Sequence, residues 1–386
     1  MQFSSRLPQD LSATPIAAAL DKATIDLTLA NPTEADLNYE ATKIITAFSN
    51  EDNLIYDPHA LGAKTTRDVV AKYLGTMGRR IASDRLALTA STSEAYSIIF
   101  KLLCNPGDSI AMPAPSYPLV PHLLELEALN YENYKIDYDT TNNRWQINFA
   151  SLKNTLNHGA RAIVVISPNN PTGNTIDHEQ ALQLAALAKQ YNVALIIDEV
   201  FAPYGVDGVV PSAAIANGPL TFVLDGLSKS TALPQMKLAW IAAHGSDALV
   251  IETMLRLEWL LDAYLSVSAP ILNAAPKLLE TAIAMQHQIR TRLQYNYAIL
   301  ALGLKDIAKV QLLAREAGWY AIIKLPQSCN EEALVTKLAN EYNIKVQPGY
   351  FFDFADEGYL VVSLLVEPKQ MQQGVAALQQ GLVQLL

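Results

Sequence analysis

Cysteine is almost missing from this chain. Its 386 residues include two, Cys104 and Cys329, far apart in sequence. That spacing excludes a disulfide framework and a cysteine-based metal site. Charge is also scarce, at 17% of residues, and basic side chains are outnumbered 28 to 38, for a net charge of −10. No basic stripe exists for a nucleic-acid backbone or an anionic membrane surface, so neither partner is expected. No apolar run approaches the roughly 18 residues of a spanning helix. Met1–Asp10 has no apolar signal core. A reducing compartment is expected, most simply the cytoplasm. Internal repeats and low-complexity tracts are lacking too.

What is present is apolar material: 50% of the residues are hydrophobic, enough for a large core. The length favours two lobes over one. Short apolar runs at Arg85–Ala90, Ser109–Met112, Ala162–Ile166, Ala194–Ile197 and Thr221–Leu224 read as buried strands. Helical spacing, as in Asp177–Tyr191, lies between them. That alternation predicts an α/β domain with a mostly parallel sheet flanked by helices. From Ser268, a cap followed by Pro270, one long helix is predicted over 268–302, with a kink at Pro276. Strand-like runs at Trp319–Ile323, Lys345–Gln347 and Tyr359–Leu365, then an amphipathic segment Lys369–Leu386, predict a smaller α+β lobe.

Polar clusters follow the buried runs. Ser91-Thr-Ser-Glu94 follows the first. Ser167-Pro-Asn-Asn-Pro-Thr-Gly173, Asp198-Glu199 and Asp225-Gly-Leu-Ser-Lys229 follow three others. In open α/β sheets, ligands bind beyond the carboxyl ends of the strands. Ser91–Glu94 has the spacing of a capping box, and a helix N-terminus there suits a phosphate. Asp198 is placed to pair with a cationic ring nitrogen, and Asn170 to donate to an oxygen. Lys229, desolvated beside a second cation such as Lys237, becomes a carbonyl-directed nucleophile. Singly, these are a helix start, a turn residue, a turn and a surface lysine. Together they describe pyridoxal phosphate chemistry.

The sequence resembles the class I/II aminotransferases, the type I fold of pyridoxal-phosphate enzymes, over nearly its whole length. Tyr56-Asp-Pro-His-Ala-Leu-Gly62, with Arg67 and Tyr73, is similar to the family's Tyr-x-Pro-x-x-Gly segment. Asn105–Asp108, Pro113–Pro118, Ser167–Gly173, Asp198–Phe201, Leu227–Lys229 and Pro348-Gly349 with Phe351 match further landmarks. The resemblance implies a Schiff base at Lys229, a pyridinium partner in Asp198, and Asn170 on the phenolic oxygen. Tyr117 is implied to stack on the ring. Ser91, Thr92, Ser93, Ser228 and Lys237 are implied to hold the phosphate, joined by Tyr56 from a neighbouring subunit. A homodimer with shared active sites follows. So does a large cofactor-binding domain over 46–283 and a small domain from 1–45 and 284–386. No metal is implied.

Three positions depart from the family pattern. Lys237 stands where arginine is usual, which keeps the charge but loses the bidentate fork. Phe201 stands where tyrosine is usual, and removes a donor to the phenolic oxygen unless Tyr204 supplies one. Val361, in Gly358-Tyr-Leu-Val-Val-Ser363, stands where an arginine usually binds a substrate carboxylate. No arginine follows Arg315, which is the candidate substitute unless it is an ordinary surface residue. Val361, Leu360 and Trp319 suggest an apolar or neutral substrate. The expected reaction transfers an amino group from an amino acid or amine to a 2-oxo acid. A lyase, cyclase or oxidase on the same fold is the alternative. A cofactor-binding sensor without turnover is disfavoured, because it would carry a basic DNA-binding module.

Overall fold

The computed structural model describes residues 3–8, 12 and 15–385. Its frame is an eight-stranded sheet. We number its strands β1 (Leu86–Thr89), β2 (Ser109–Ala114), β3 (Asn130–Asp139), β4 (Arg144–Ile147), β5 (Ala162–Ile166), β6 (Ala194–Asp198), β7 (Thr221–Gly226) and β8 (Ala239–His244). They lie in the order β1-β8-β7-β6-β5-β2-β3-β4. Pairs from β7 through β3 are parallel, while β8 runs against both its neighbours and β4 against β3. The sheet is therefore mostly parallel, as expected, and β1, β5, β6 and β7 all end on one edge.

Strands β5 and β6 are buried along their whole length, which explains their unbroken Val/Ile/Leu sequences. Alternate residues feed two separate cores. Val165, Ile197 and Val223 pack on one face of the sheet; Val164, Ile196 and Phe222 pack on the other.

The last third of the chain forms a four-stranded antiparallel sheet. The strand Tyr320–Lys324 lies between Gln311–Leu312 and Tyr359–Ser363, and the latter pairs with Gln347–Pro348. The run predicted as one strand over Lys345–Gln347 divides: Ile344–Lys345 pairs instead with Ile25–Asp26 near the N-terminus. The closing helix, Pro368–Leu385, matches the predicted segment, whose last residue, Leu386, lies outside the described residues.

The helix predicted over 268–302 is two helices, Ala269–Leu279 and Ala282–Leu304. The chain breaks at Glu280–Thr281, and Pro276 lies inside the first helix. There the Thr281 hydroxyl bonds the Leu278 carbonyl, and the Thr281 N–H turns to the same carbonyl in a tightened last turn.

Candidate active site

The carboxyl ends of β1, β5, β6 and β7 meet around a cavity of about 290 Å³. Its lining includes Ser91, Thr92, Ser93, Tyr117, Asn170, Asp198, Ser228, Lys229 and Lys237, nine of the ten predicted site residues. Tyr56 is the tenth. It is 82% exposed and belongs to a separate cleft between 53–62 and 265–272.

Beyond β1, Ser91 caps the helix Thr92–Leu103 by accepting from the Glu94 N–H at 3.1 Å. The capping box is displaced by one residue. The Glu94 carboxylate accepts from the Ala90 N–H, not from that of Ser91. The first turn of the helix faces the cavity with its hydroxyls and positive dipole end, a ready anion site.

Beyond β5, the adjacent asparagines divide their work. Asn169 is structural and donates to the Pro115 carbonyl and the Thr172 hydroxyl. Asn170 lines the cavity, and its buried Oδ1 has no partner. The loop closes at Gly173, whose φ is +70° and where a Cβ would stand 2.4 Å from the Ala317 carbonyl oxygen. Only glycine fits there.

Strand alternation separates Asp198 from Glu199. Glu199 turns away to pair with Arg79 at 2.8 Å. Asp198 faces the cavity and accepts from the Val200 N–H and the Tyr96 hydroxyl, each at 3.1 Å. Burial raises its carboxyl to about 6, against the lowering effect of those two donors and of Lys229.

Lys229 rides on a one-turn helix, Leu227–Ser230. That helix is fastened from several directions. Asp225 Oδ1 accepts from the Gly226 N–H and the Ser230 hydroxyl. Gln286 donates to the Ser230 carbonyl. Tyr204 donates its hydroxyl to the Lys229 carbonyl. Tyr204 is therefore committed to backbone and does not replace the hydroxyl absent from Phe201. Lys229 Nζ lies 4.8 Å from the centre of the Trp319 ring and 5.5 Å from that of Phe201. Burial lowers its amine to about 8, with Asp198 opposing the shift. An amine at that value is partly unprotonated near neutrality, as a nucleophile requires.

Arg315 is half-buried and does not line the cavity. Its guanidinium donates to the Gly318 carbonyl and lies over the Tyr297 ring. Leu360 is buried on the opposite face of its strand from Val361. Sequence reasoning did not find Tyr96, Gln286 or Tyr320. Tyr320 lines the cavity, and its phenol is a hydrogen-bonding neighbour of the Asn170 amide. A tyrosine following the buried Trp319 was the available signal.

Pyridoxal 5′-phosphate fits the donor set. The serine-rich helix start and Lys237 suit its phosphate, the buried Asp198 its ring nitrogen, Asn170 its ring oxygen and Lys229 its aldehyde carbon. Among the described residues, no group of three His, Cys, Asp or Glu could hold a metal.

A family model described as aminotransferase class I and II matches residues 25–378. Tyrosine aminotransferase of Caenorhabditis elegans is 23% identical over 323 residues, 82% of this chain and 68% of that protein. S-alkyl-thiohydroximate lyase of Arabidopsis thaliana is 27% identical over 310 residues, 76% of this chain and 65% of its own length. Among solved structures, alanine aminotransferase from Pyrococcus furiosus superposes with a TM-score of 0.86 at 20% identity, over 96% of this chain and 95% of that one. With the family model spanning the sheet, the cavity and the C-terminal lobe, the chain belongs to the class I and II aminotransferases and is a pyridoxal-phosphate-dependent transaminase.

Proposed function

We propose that transamination in this protein runs in the cavity at the carboxyl ends of β1, β5, β6 and β7, with Lys229 as its acting base. The observation that carries this is the placement of a buried amine lowered to about 8 and a buried carboxyl raised to about 6 on one small cavity. Pyridoxal phosphate, when bound, supplies an electron-accepting ring for the pair left behind as a proton departs from the amine-bearing carbon. Lys229 Nζ anchors the cofactor. Once free, it would take that proton and return it two atoms along, on the far side of the nitrogen. Asp198 holds a proton on the ring nitrogen, and Tyr96 and the Val200 N–H keep its carboxylate aimed. Asn170 donates to the ring oxygen, and Tyr117 covers the ring. Ser91, Thr92, Ser93, Ser228 and Lys237 hold the phosphate.

A homodimer belongs to this proposal, with Tyr56 reaching the partner's site. Leu54, Ile55 and Tyr56, and separately Leu255 and Trp259, are strongly exposed apolar side chains, a pattern that suits a subunit contact. We also propose the division into 46–283 and 1–45 with 284–386, and a cytoplasmic location.

Single-turnover absorbance tests the reaction. Loaded protein is mixed with amino acids and amines, without an acceptor. Transamination empties the visible band once and restores it only when an oxo acid is added. Continuous ammonia release with the band retained would instead mean elimination or oxidation.

A further inference from the structure

The cavity has two differently built ends. One carries the helix N-terminus, Ser228 and Lys237. The other is walled by Ala30, Val200, Phe201 and Tyr320. Antiparallel register relates Tyr320 to four residues outside the cavity lining. Tyr320 lies opposite Ser363, Ile322 opposite Val361, and Val361 opposite Gln347, so these five share one face of the small sheet. Val361 is fully buried there. Ser363 is committed to the Leu29 carbonyl. The polar groups at Tyr320 are uncharged: its phenol and the Asn170 amide. Lys324 continues the face on the far side of Ile322 and does not line the cavity.

The neighbouring arginines are engaged elsewhere. Arg290 donates to the Pro203 carbonyl. Arg292 donates to the carbonyls of Ala35, Leu365 and Val366. Arg315 is held by Gly318 and Tyr297. Among the described residues, the cavity has no cations besides Lys229 and Lys237. The positions outside the described set carry no basic side chain. A carboxylate placed against Tyr320 would lose its water and meet no counter-charge from its own subunit, which costs more than placing a neutral group there.

We propose that the substrate this site reads best is a primary amine whose amine-bearing carbon carries uncharged substituents, held by the Tyr320 phenol and the Asn170 amide. This rests on the pyridoxal-phosphate transaminase reading above and assigns its substrate class. The exchange balances without a further oxidant. The amine's C–N bond becomes C=O, and the oxo acid's C=O becomes C–NH₂. The acid partner is the weaker ligand of the two.

Binding to the cofactor-free protein tests this without turnover. Two stable conjugates are compared by calorimetry, phosphopyridoxyl-ethylamine and phosphopyridoxyl-alanine, which differ by one carboxylate. The ethylamine conjugate is expected to bind at least tenfold more tightly. Equal affinity, or tighter binding of the alanine conjugate, overturns the proposal while leaving the transaminase reading intact. Failure of both conjugates to bind would remove that reading as well. Val361→Arg places a cation on the sheet face that carries Tyr320 and is expected to shift the ratio at least tenfold toward the alanine conjugate. The wild-type comparison decides the question even if that variant does not fold.

Discussion

The Tyr96 hydroxyl donates to Asp198 Oδ2 at 3.1 Å, from the same helix whose N-terminus presents Ser91, Thr92 and Ser93 to the cavity. One helix thus serves both ends of the cofactor site. Its first turn faces the cavity with hydroxyls that suit a phosphate, and its second orients the Asp198 carboxylate. Tyr96 is itself buried, and burial together with Asp198 holds its phenol well above the ordinary range. It therefore acts as a donor and stays protonated.

Tyr96→Phe removes that donor. The hydrogen bond lowers the Asp198 carboxyl from where burial alone would put it, so the variant's carboxyl rises above about 6. Cofactor affinity is expected to fall about 3- to 10-fold at neutral pH, the scale of one ordinary net hydrogen bond. The acid limb of the binding profile should move to higher pH. Equilibrium dialysis of pyridoxal phosphate between pH 5 and 8 measures both.

Lys229→Met is expected to stabilise the cofactor-free protein at pH 7. The folded amine sits near 8, against an ordinary 10.5. Holding it charged in the folded state carries a cost that is complete below about pH 8 and fades as pH rises to 10.5. Removing the amine should raise stability by on the order of 1–3 kcal/mol at pH 7 and by little above pH 10.5. Urea denaturation at the two pH values reads the difference, and the same variant should lose all borohydride-fixed cofactor.

Asp225→Asn separates charge from geometry. Burial raises the Asp225 carboxyl to about 7, with Arg79 as the leading opposing influence. The ionised carboxylate therefore weakens the fold fully above about pH 7 and not at all below its ordinary value of 3.8. Asparagine retains the acceptor for Gly226 and Ser230. The variant is expected to match the wild type near pH 4 and to exceed it by about 1–3 kcal/mol at pH 8. Thermal melts across that range would expose the opposite trend.

Phe201→Tyr restores a hydroxyl that Tyr204 does not supply, because Tyr204 is bound to the Lys229 backbone. A phenol donating to the ring oxygen stabilises its anionic form. The acid–base midpoint of the holoprotein's visible band should therefore fall by roughly one pH unit. An unmoved midpoint would place the new hydroxyl out of reach.

The cofactor end of the site was legible in the sequence, because each loop follows a wholly buried strand and is punctuated by Ser, Asn, Pro and Gly. Asn130–Asp139 was not legible as a strand. Its residues are mainly polar and largely exposed toward the sheet edge, so no apolar run marks it. Ala239–His244 was missed because half of it is alanine. The break at Glu280–Thr281 left no glycine to mark it. Tyr96, Gln286 and Tyr320 act through distances that only the folded chain creates. Tyr96 lies 102 positions from Asp198, and Gln286 lies 56 from Ser230. The fate of Arg315 was invisible for the same reason: its partner ring, Tyr297, belongs to the helix Ala282–Leu304.

A helix of one turn cannot sustain itself, and the one that bears Lys229 is secured by side chains drawn from across the sequence. Tyr39 bonds the Ala232 carbonyl just beyond it, Tyr204 and Asp225 bond within it, and Gln286 arrives from the C-terminal half. The reactive amine is therefore in place only after contacts spanning nearly 250 residues have formed. During refolding, the yellow colour of bound cofactor should emerge after the sheet has assembled. During gentle denaturation it should fade before the sheet is lost, so the pigment reports on the completeness of the fold.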